Sequence, residues 1–281
     1  MRLLRVGDPG SEVPVVLDES GQARDLRPVT SGIGGDFLAD GGVRRVREAL
    51  DGLPVVDIAG RRIGAPVSRP GALVCIGLNY SDHAAETNAE PPAEPVVFLK
   101  ATNTVVGPDD TVLVPRTSTT TDYEVELAVV LGATARYLDS PADAAALIAG
   151  YAISNDVSER DFQLHRGGQW TKGKSCETFN PLGPWLVTAD EVGDPQALGL
   201  RLSVNGELRQ DGNTKNMLFG VHHVIWYLSQ FMVLAPGDVV NTGTPAGVGL
   251  GADDFGYLRE GDTVELGIDR LGGQRQRIGQ A

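Results

Sequence analysis

The chain of 281 residues is long enough for one large domain and a small one, and 37 acidic against 24 basic side chains leave it at −13. That balance, with no basic stripe, excludes a nucleic-acid binder, and no run approaches the ~18 apolar residues that span a bilayer. Cys75 and Cys176 are too few for a disulfide scaffold and not spaced for zinc, and residues 1–8 hold no signal-peptide apolar run, so a reduced cytoplasmic protein is expected.

Residues 1–66 read as short strands and turns with one helix. Residues 3–6 and 13–17 are the strands, separated by Gly, Pro and Asp. Phe37, Leu38, Val43, Val46 and Leu50 share one helical face, weakened by Gly41-Gly42. Nothing here has catalytic spacing. The Pro/Gly-bearing stretch 66–71 is the expected boundary between a small N-terminal accessory domain (1–66) and a catalytic domain (67–281).

Residues 72–77 form a buried-type strand. A short helix follows, capped by Ser81 or Asp82, with His83 and Glu86 at i and i+3 on one face. A carboxylate one turn away fixes the tautomer of an imidazole and raises its basicity. Surface His–Glu pairs show the same spacing. The scarcity of histidine, four in the chain, favours a catalytic pair. Residues 88–95 make a polar, Pro-rich loop of the kind that closes as a lid. Residues 96–100 are an apolar strand ending on Lys100, which either terminates the strand in solvent or faces substrate.

Residues 121–131 are the strand about which the rest is arranged. Tyr123, Val125, Leu127, Val129 and Leu131 make one apolar face. The other carries Asp122, Glu124, Glu126, Ala128 and Val130, with the two glutamate Cα atoms roughly 6–7 Å apart. A wet face would explain two glutamates, but Ala128 and Val130 dry the same face at once. Neighbouring carboxylates on a dry surface repel unless a cation lies between them, and oxygen ligands suit Mg²⁺, Mn²⁺ or Ca²⁺ better than Zn²⁺.

Ser140, Pro141 and Asp143 start a helix cleanly. Residues 148–156 are a further strand, ending on Asp156, which is either the third metal ligand or the N-cap of a helix beginning at Val157. Asp156, Arg160 and Gln163 fall on one face of that helix. Residues 167–175 are a glycine-broken loop with Lys172 and Lys174. Only four lysines stand against twenty arginines, which suggests that lysine is kept for special positions. Beside a metal, Lys174 would stabilise a developing oxyanion or enolate; a solvated basic loop is the alternative. Met217, Leu218, Val221, Val224, Ile225 and Leu228 mark the longest amphipathic helix, with His222 and His223 at its edge. Residues 242–249, Thr-Gly-Thr-Pro-Ala-Gly-Val-Gly, present backbone and hydroxyl donors to an anionic group such as a carboxylate.

Taken together, residues 77–86, the Glu124/Glu126 strand, Asn155-Asp156 with Arg160 and Gln163, residues 172–175 and residues 242–249 resemble the fumarylacetoacetate hydrolase family. The likeness covers about residues 70–270. It implies a mainly β, mixed α+β fold, a mixed β-sandwich roll with a small N-terminal domain, binding Mg²⁺ or Mn²⁺ and usually forming homodimers. By motif, Glu124, Glu126 and Asp156 would be metal ligands, and His83 and Glu86 the catalytic dyad. Lys174 would stabilise the enolate, while Thr244, Lys100, Arg160 and Gln163 contact substrate. In the founding members an aspartate equivalent to Asp82 is a further ligand; here His83 follows it directly, as in the acylpyruvase-like branch, so Asp82 is not carried over. The implied reaction is hydrolysis of the C–C bond of a 2,4-dioxo acid to pyruvate and a carboxylic acid. The run of motifs looks most like hydrolases of 2,4-dioxo-3-deoxy sugar acids such as the fuconate or rhamnonate derivatives, which would place it in carbohydrate acid catabolism. Oxaloacetate decarboxylation, or isomerisation of 2-hydroxyhepta-2,4-diene-1,7-dioate, would use the same enolate site. A binding protein for metal and 2-oxo acid, without turnover, is the non-enzymatic reading.

Overall fold

A computed structural model of the chain describes residues 1–82, 90–251 and 256–281. Its strands, in chain order, are β1 (Arg2–Val6), β2 (Val13–Leu17), β3 (Ala23–Asp25), β4 (Ile63–Gly64), β5 (Leu73–Gly77), β6 (Val96–Lys100), β7 (Val105–Val106), β8 (Val112–Val114) and β9 (Thr121–Asp122). They continue with β10 (Val125–Leu131), β11 (Ile148–Asn155), β12 (Ser158–Glu159), β13 (Asn180–Thr188), β14 (Gly199–Val204), β15 (Glu207–Asn213), β16 (Val239–Asn241), β17 (Thr263–Ile268) and β18 (Gly272–Gln280). Helices are few and short, among them α1 (Gly35–Ala39), α2 (Gly42–Ala49), α3 (Arg160–Leu164), α4 (Thr171–Lys174), α5 (Ala189–Val192) and α6 (Val221–Ser229). None in the described residues is long and apolar enough to cross a membrane.

Eleven strands make one mixed sheet whose main path runs β3-β2-β1-β13-β11-β10-β16-β5-β6. A second, five-stranded sheet runs β15-β14-β17-β18-β8. The alternation read in residues 125–131 explains how the two stack. Val125, Leu127, Val129 and Leu131 join the core that also takes Leu200 and Leu202 from β14 and Val264, Leu266 and Ile268 from β17. Ala128 and Val130 belong to the opposite core, where Phe37, Leu38 and Val46 of α1 and α2 cover the large sheet. Both faces of β10 are therefore dry, as expected of a central strand. The fold is the mixed α+β, mainly β sandwich implied by the resemblance.

Four elements depart from expectation. The strand expected over 121–131 breaks at Tyr123-Glu124, because β9 pairs with β12 while β10 pairs with β11. The helix expected from Val157 begins instead at Arg160. Ser158 and Glu159 are taken up as β12, and the Glu159 carboxylate caps the helix by accepting from the Phe162 amide at 2.6 Å. Asp156 is accordingly no N-cap. The amphipathic helix read from Met217 starts at Val221, after Gly220 in extended conformation. The helix of residues 37–50 is two, divided at Gly41, whose φ of 67° suits glycine. Residues 1–66 are hydrogen-bonded into the large sheet through β1, which pairs with β13.

Candidate metal centre and its cavity

The register of β10 against β11 sets the acidic cluster. Val125 faces Asn155 and Glu126 faces Ser154, so positions 124 and 156 meet where the ladder ends. The Asp156 amide donates to the Glu124 carbonyl at 2.9 Å, and the Glu124 amide to the Asn155 side chain at 3.1 Å. Cross-strand neighbours on one face hold their Cβ atoms about 5 Å apart. The carboxylates of Glu124, Glu126 and Asp156, all buried, accordingly offer oxygens within 4.8 Å of one another. The three residues expected to hold a metal are brought together.

Three cations surround them. Lys174, buried at the end of α4, donates to Glu124 at 2.7 Å and to Asp156 at 2.9 Å. Burial works to lower its pKa, but Asp156 and Glu124 outweigh it and raise the ammonium above its ordinary value. Arg160, at the start of α3, reaches Glu124 and Asp122, each at 2.7 Å, and donates to the side-chain Oε1 of Gln163 at 3.0 Å. Gln163 lines the cavity, and its side-chain Nε2 has no hydrogen-bond partner among the described residues.

Two residues expected to contact substrate are engaged within the protein in this arrangement. Lys100 is fully buried behind the cluster, pairing with Asp156 and donating to the carbonyls of Phe179 at 2.6 Å and Val157 at 3.2 Å. Its three protons are committed, so it orients Asp156 and does not reach the cavity. Thr244 lines the cavity, but its hydroxyl donates to the Val125 carbonyl at 2.9 Å and accepts from Gln210 at 2.8 Å. With its one proton spent, that hydroxyl does not donate to a substrate carboxylate in this arrangement.

The charges test whether a cation belongs here. Asp122, Glu124, Glu126 and Asp156 face Lys100, Arg160 and Lys174, four negative groups against three positive ones. Among the described residues Glu126 has no ion-pair partner; the Gly243 amide, at 2.7 Å, is its hydrogen-bond donor. Burial first, then Asp156 and Glu124, push its carboxyl well above the usual range, against the smaller pull of Lys174 and that amide. An under-satisfied buried carboxylate beside two others, in an all-oxygen donor set, fits a hard divalent cation such as Mg²⁺ or Mn²⁺.

The cluster opens on a cavity of about 230 Å³ whose remaining wall includes Gly77, Leu78, Phe98, Leu164, Trp170 and Leu250. A Cβ at Gly77 would lie 2.4 Å from the Trp170 ring, so the indole packs directly on the end of β5. His83 and Glu86, the expected dyad, lie outside the described residues. A larger open cleft, of about 570 Å³, lies by the N-terminal strands; there Arg5 and Arg62 already pair with Glu12 and Asp110.

Residues 72–279 match the family model described as fumarylacetoacetate (FAA) hydrolase C-terminal. The chain belongs to the fumarylacetoacetate hydrolase family. A Burkholderia multivorans protein, provisionally named a hydrolase, is 51% identical over 278 residues, 98% of each chain. Among solved structures, a fumarylacetoacetate hydrolase from Exiguobacterium antarcticum superposes with a TM-score of 0.86 at 36% identity, covering all of both chains. The maleylpyruvate hydrolase of Sphingobium sp. SYK-6, solved with manganese(II) and pyruvate, gives 0.82 at 28% identity, again over all of both chains.

Three residues of this family member escaped the reading of its sequence. Asp122 accepts from Arg160 and from the amides of Gly249 at 2.7 Å and Leu250 at 3.0 Å, tying the glycine-rich loop to α3. Its signal was present, since it shares a face with Glu124 and Glu126. Gln210 reaches across from the second sheet to hold Val125, Thr244 and Pro245, and no local pattern announces that. Trp170 lay in a loop read only for its lysines.

Proposed function

We propose that the protein is a divalent-metal-dependent hydrolase that cleaves the C–C bond of a 2,4-dioxo acid, releasing pyruvate and a carboxylic acid. The observation that carries the reading is the convergence of three buried carboxylates with Lys174 and Arg160 beside one cavity, which Glu124 and Glu126 line. That a similar structure holds manganese(II) and pyruvate supports it.

Glu124, Glu126 and Asp156 would hold the ion. When bound, a divalent cation supplies Lewis acidity to a chelating 2-oxo carboxylate. The residues of the chain do the rest. Lys100 and Lys174 fix the two oxygens of Asp156. In this reading His83, oriented by Glu86, takes a proton from the water that adds to the distal carbonyl. The bond between C3 and C4 then breaks, its electron pair passing to the pyruvate enolate while the distal carbonyl leaves as the carboxylic acid. The Lys174 ammonium stands beside the developing enolate oxygen, and a proton delivered to C3 completes pyruvate. The test is pyruvate release from acetylpyruvate and longer acylpyruvates, followed by lactate dehydrogenase, with Mn²⁺ or with EDTA. Release that needs the ion is expected; none from any acylpyruvate would sink the proposal.

A further inference from the structure

The hydrolase reading leaves open what the acyl group is, and the lining of the cavity bears on it. In the acidic cluster every cation among the described residues is already engaged: Arg160 with Asp122 and Glu124, Lys174 with Glu124 and Asp156, Lys100 with Asp156. The remaining wall includes Leu78, Phe98, Leu164, Trp170 and Leu250, with the Phe98 ring 5.0 Å from the Lys174 ammonium. Phe98 and Trp170 meet edge to face at 5.4 Å, a rigid aromatic corner. Leu78 adopts a left-handed backbone, φ 54°, which a residue with a branched Cγ takes only under constraint. That strain falls at the turn out of β5, where the leucine joins the wall. Residues 83–89 and 252–255 contain no lysine or arginine, so no further permanent cation is available from them.

The charge count points the same way. Four carboxylates and three cations leave the described cluster at one negative charge; a divalent ion turns that to one positive. A single substrate carboxylate then neutralises it. A second carboxylate, at the far end of the molecule, would meet a wall whose free donor is the neutral Gln163 side-chain amide and no cation, and a polyhydroxylated chain would lose most of its water without replacement. The volume, about 230 Å³, lies below the usual range for ligand pockets and limits the group to a short alkyl chain or a single ring.

Resting on the hydrolase reading, we propose that the substrate is a monoanionic acylpyruvate with a small uncharged apolar acyl group, alkyl or aryl, seated on Leu78, Phe98, Leu164 and Trp170. Dicarboxylic and sugar-derived dioxo acids are then poor ligands. The experiment titrates the Mn²⁺-loaded protein by calorimetry with 2-oxohexanoate, phenylpyruvate and 2-oxoglutarate, none of which has a 4-oxo group to be cleaved. The two monoanions are expected to bind at least about tenfold more tightly than 2-oxoglutarate. Leu164→Arg, at a side chain already 37% exposed, should narrow that gap by providing the missing cation. Equal or tighter binding of 2-oxoglutarate by the parent, or binding of none of the three, overturns the inference. Pyruvate release from hexanoylpyruvate and benzoylpyruvate is scored separately. The expected binding order without release keeps the apolar seat and removes the hydrolase reading; release with the reverse order does the opposite.

Discussion

Glu126 is almost wholly buried, accepts from the Gly243 amide and faces two other carboxylates. Its raised pKa makes the folded, metal-free protein bind a proton more tightly than the unfolded chain. The associated stability is full below the unfolded glutamate value of about 4.3 and is lost as pH rises through the higher folded value. The metal-free parent should therefore melt at a lower temperature as pH is raised from about 5 to 8, and Glu126→Gln should flatten that slope. Added Mn²⁺ should raise the melting temperature of the parent, by about 2.7 kcal/mol of stability at a hundredfold excess over its Kd, and leave the variant unmoved. Differential scanning fluorimetry at several pH values reads all of this. Asp122 acts at one remove, through Arg160 and the Gly249-Leu250 backbone. Asp122→Asn should cost roughly 3 kcal/mol, since it leaves a buried guanidinium with one ion-pair partner instead of two. It should also lower kcat/KM by about a hundredfold through misplacement of Arg160, which steady-state kinetics would measure.

Helices α3 and α4 touch at Gly173, where a Cβ would stand 2.3 Å from the Glu159 carbonyl oxygen and 2.5 Å from the Gln163 amide nitrogen. Gly173→Ala must push α4 away and carry Lys174 with it. Overpacking of this kind costs about 1–3 kcal/mol, outweighing the better helix propensity of alanine. The expected outcome is a loss of kcat out of proportion to the loss of stability, with Mn²⁺ affinity retained in calorimetry because the ligating strands do not move. Elements defined by short-range pattern were readable in advance. The alternation of residues 125–131 separates two cores, and the helical start expected at Ser140 is there, closed by a capping box with Asp143. Boundaries set by distant partners were not. Nothing near Tyr123 foretells that β9 leaves β10 to pair with β12, and Lys100 reads as a strand end until Asp156 and two carbonyls are folded around it.

Across the whole molecule, the acidic site is assembled from segments far apart in sequence: residues 124–126, 156–174 and 243, held from behind by Lys100 and from the second sheet by Gln210. The ligand set could be read because two of its members are neighbours on one strand and the third ends the next. The supports could not, since each depends on long-range packing that composition and periodicity do not record. The same holds for β1, whose pairing with β13 joins residues more than 180 positions apart. Burial also governs the two thiols. Cys75 is inaccessible on β5, and its thiol is raised well above the ordinary value, chiefly by desolvation and then by Asp156. Cys176, half-buried, is pushed up to about 11, by burial first and Glu159 second. Neither thiol is appreciably ionised near neutrality, and only the thiolate alkylates readily. Iodoacetamide should leave the native protein almost unmodified at pH 8 and begin to mark Cys176 only as pH nears 11, which intact-mass spectrometry would register. A cysteine placed on the exposed surface, for instance Glu90→Cys, would then be the single addressable handle near neutrality, so a dye or spin label can be carried at one chosen position by a protein that keeps both of its native thiols.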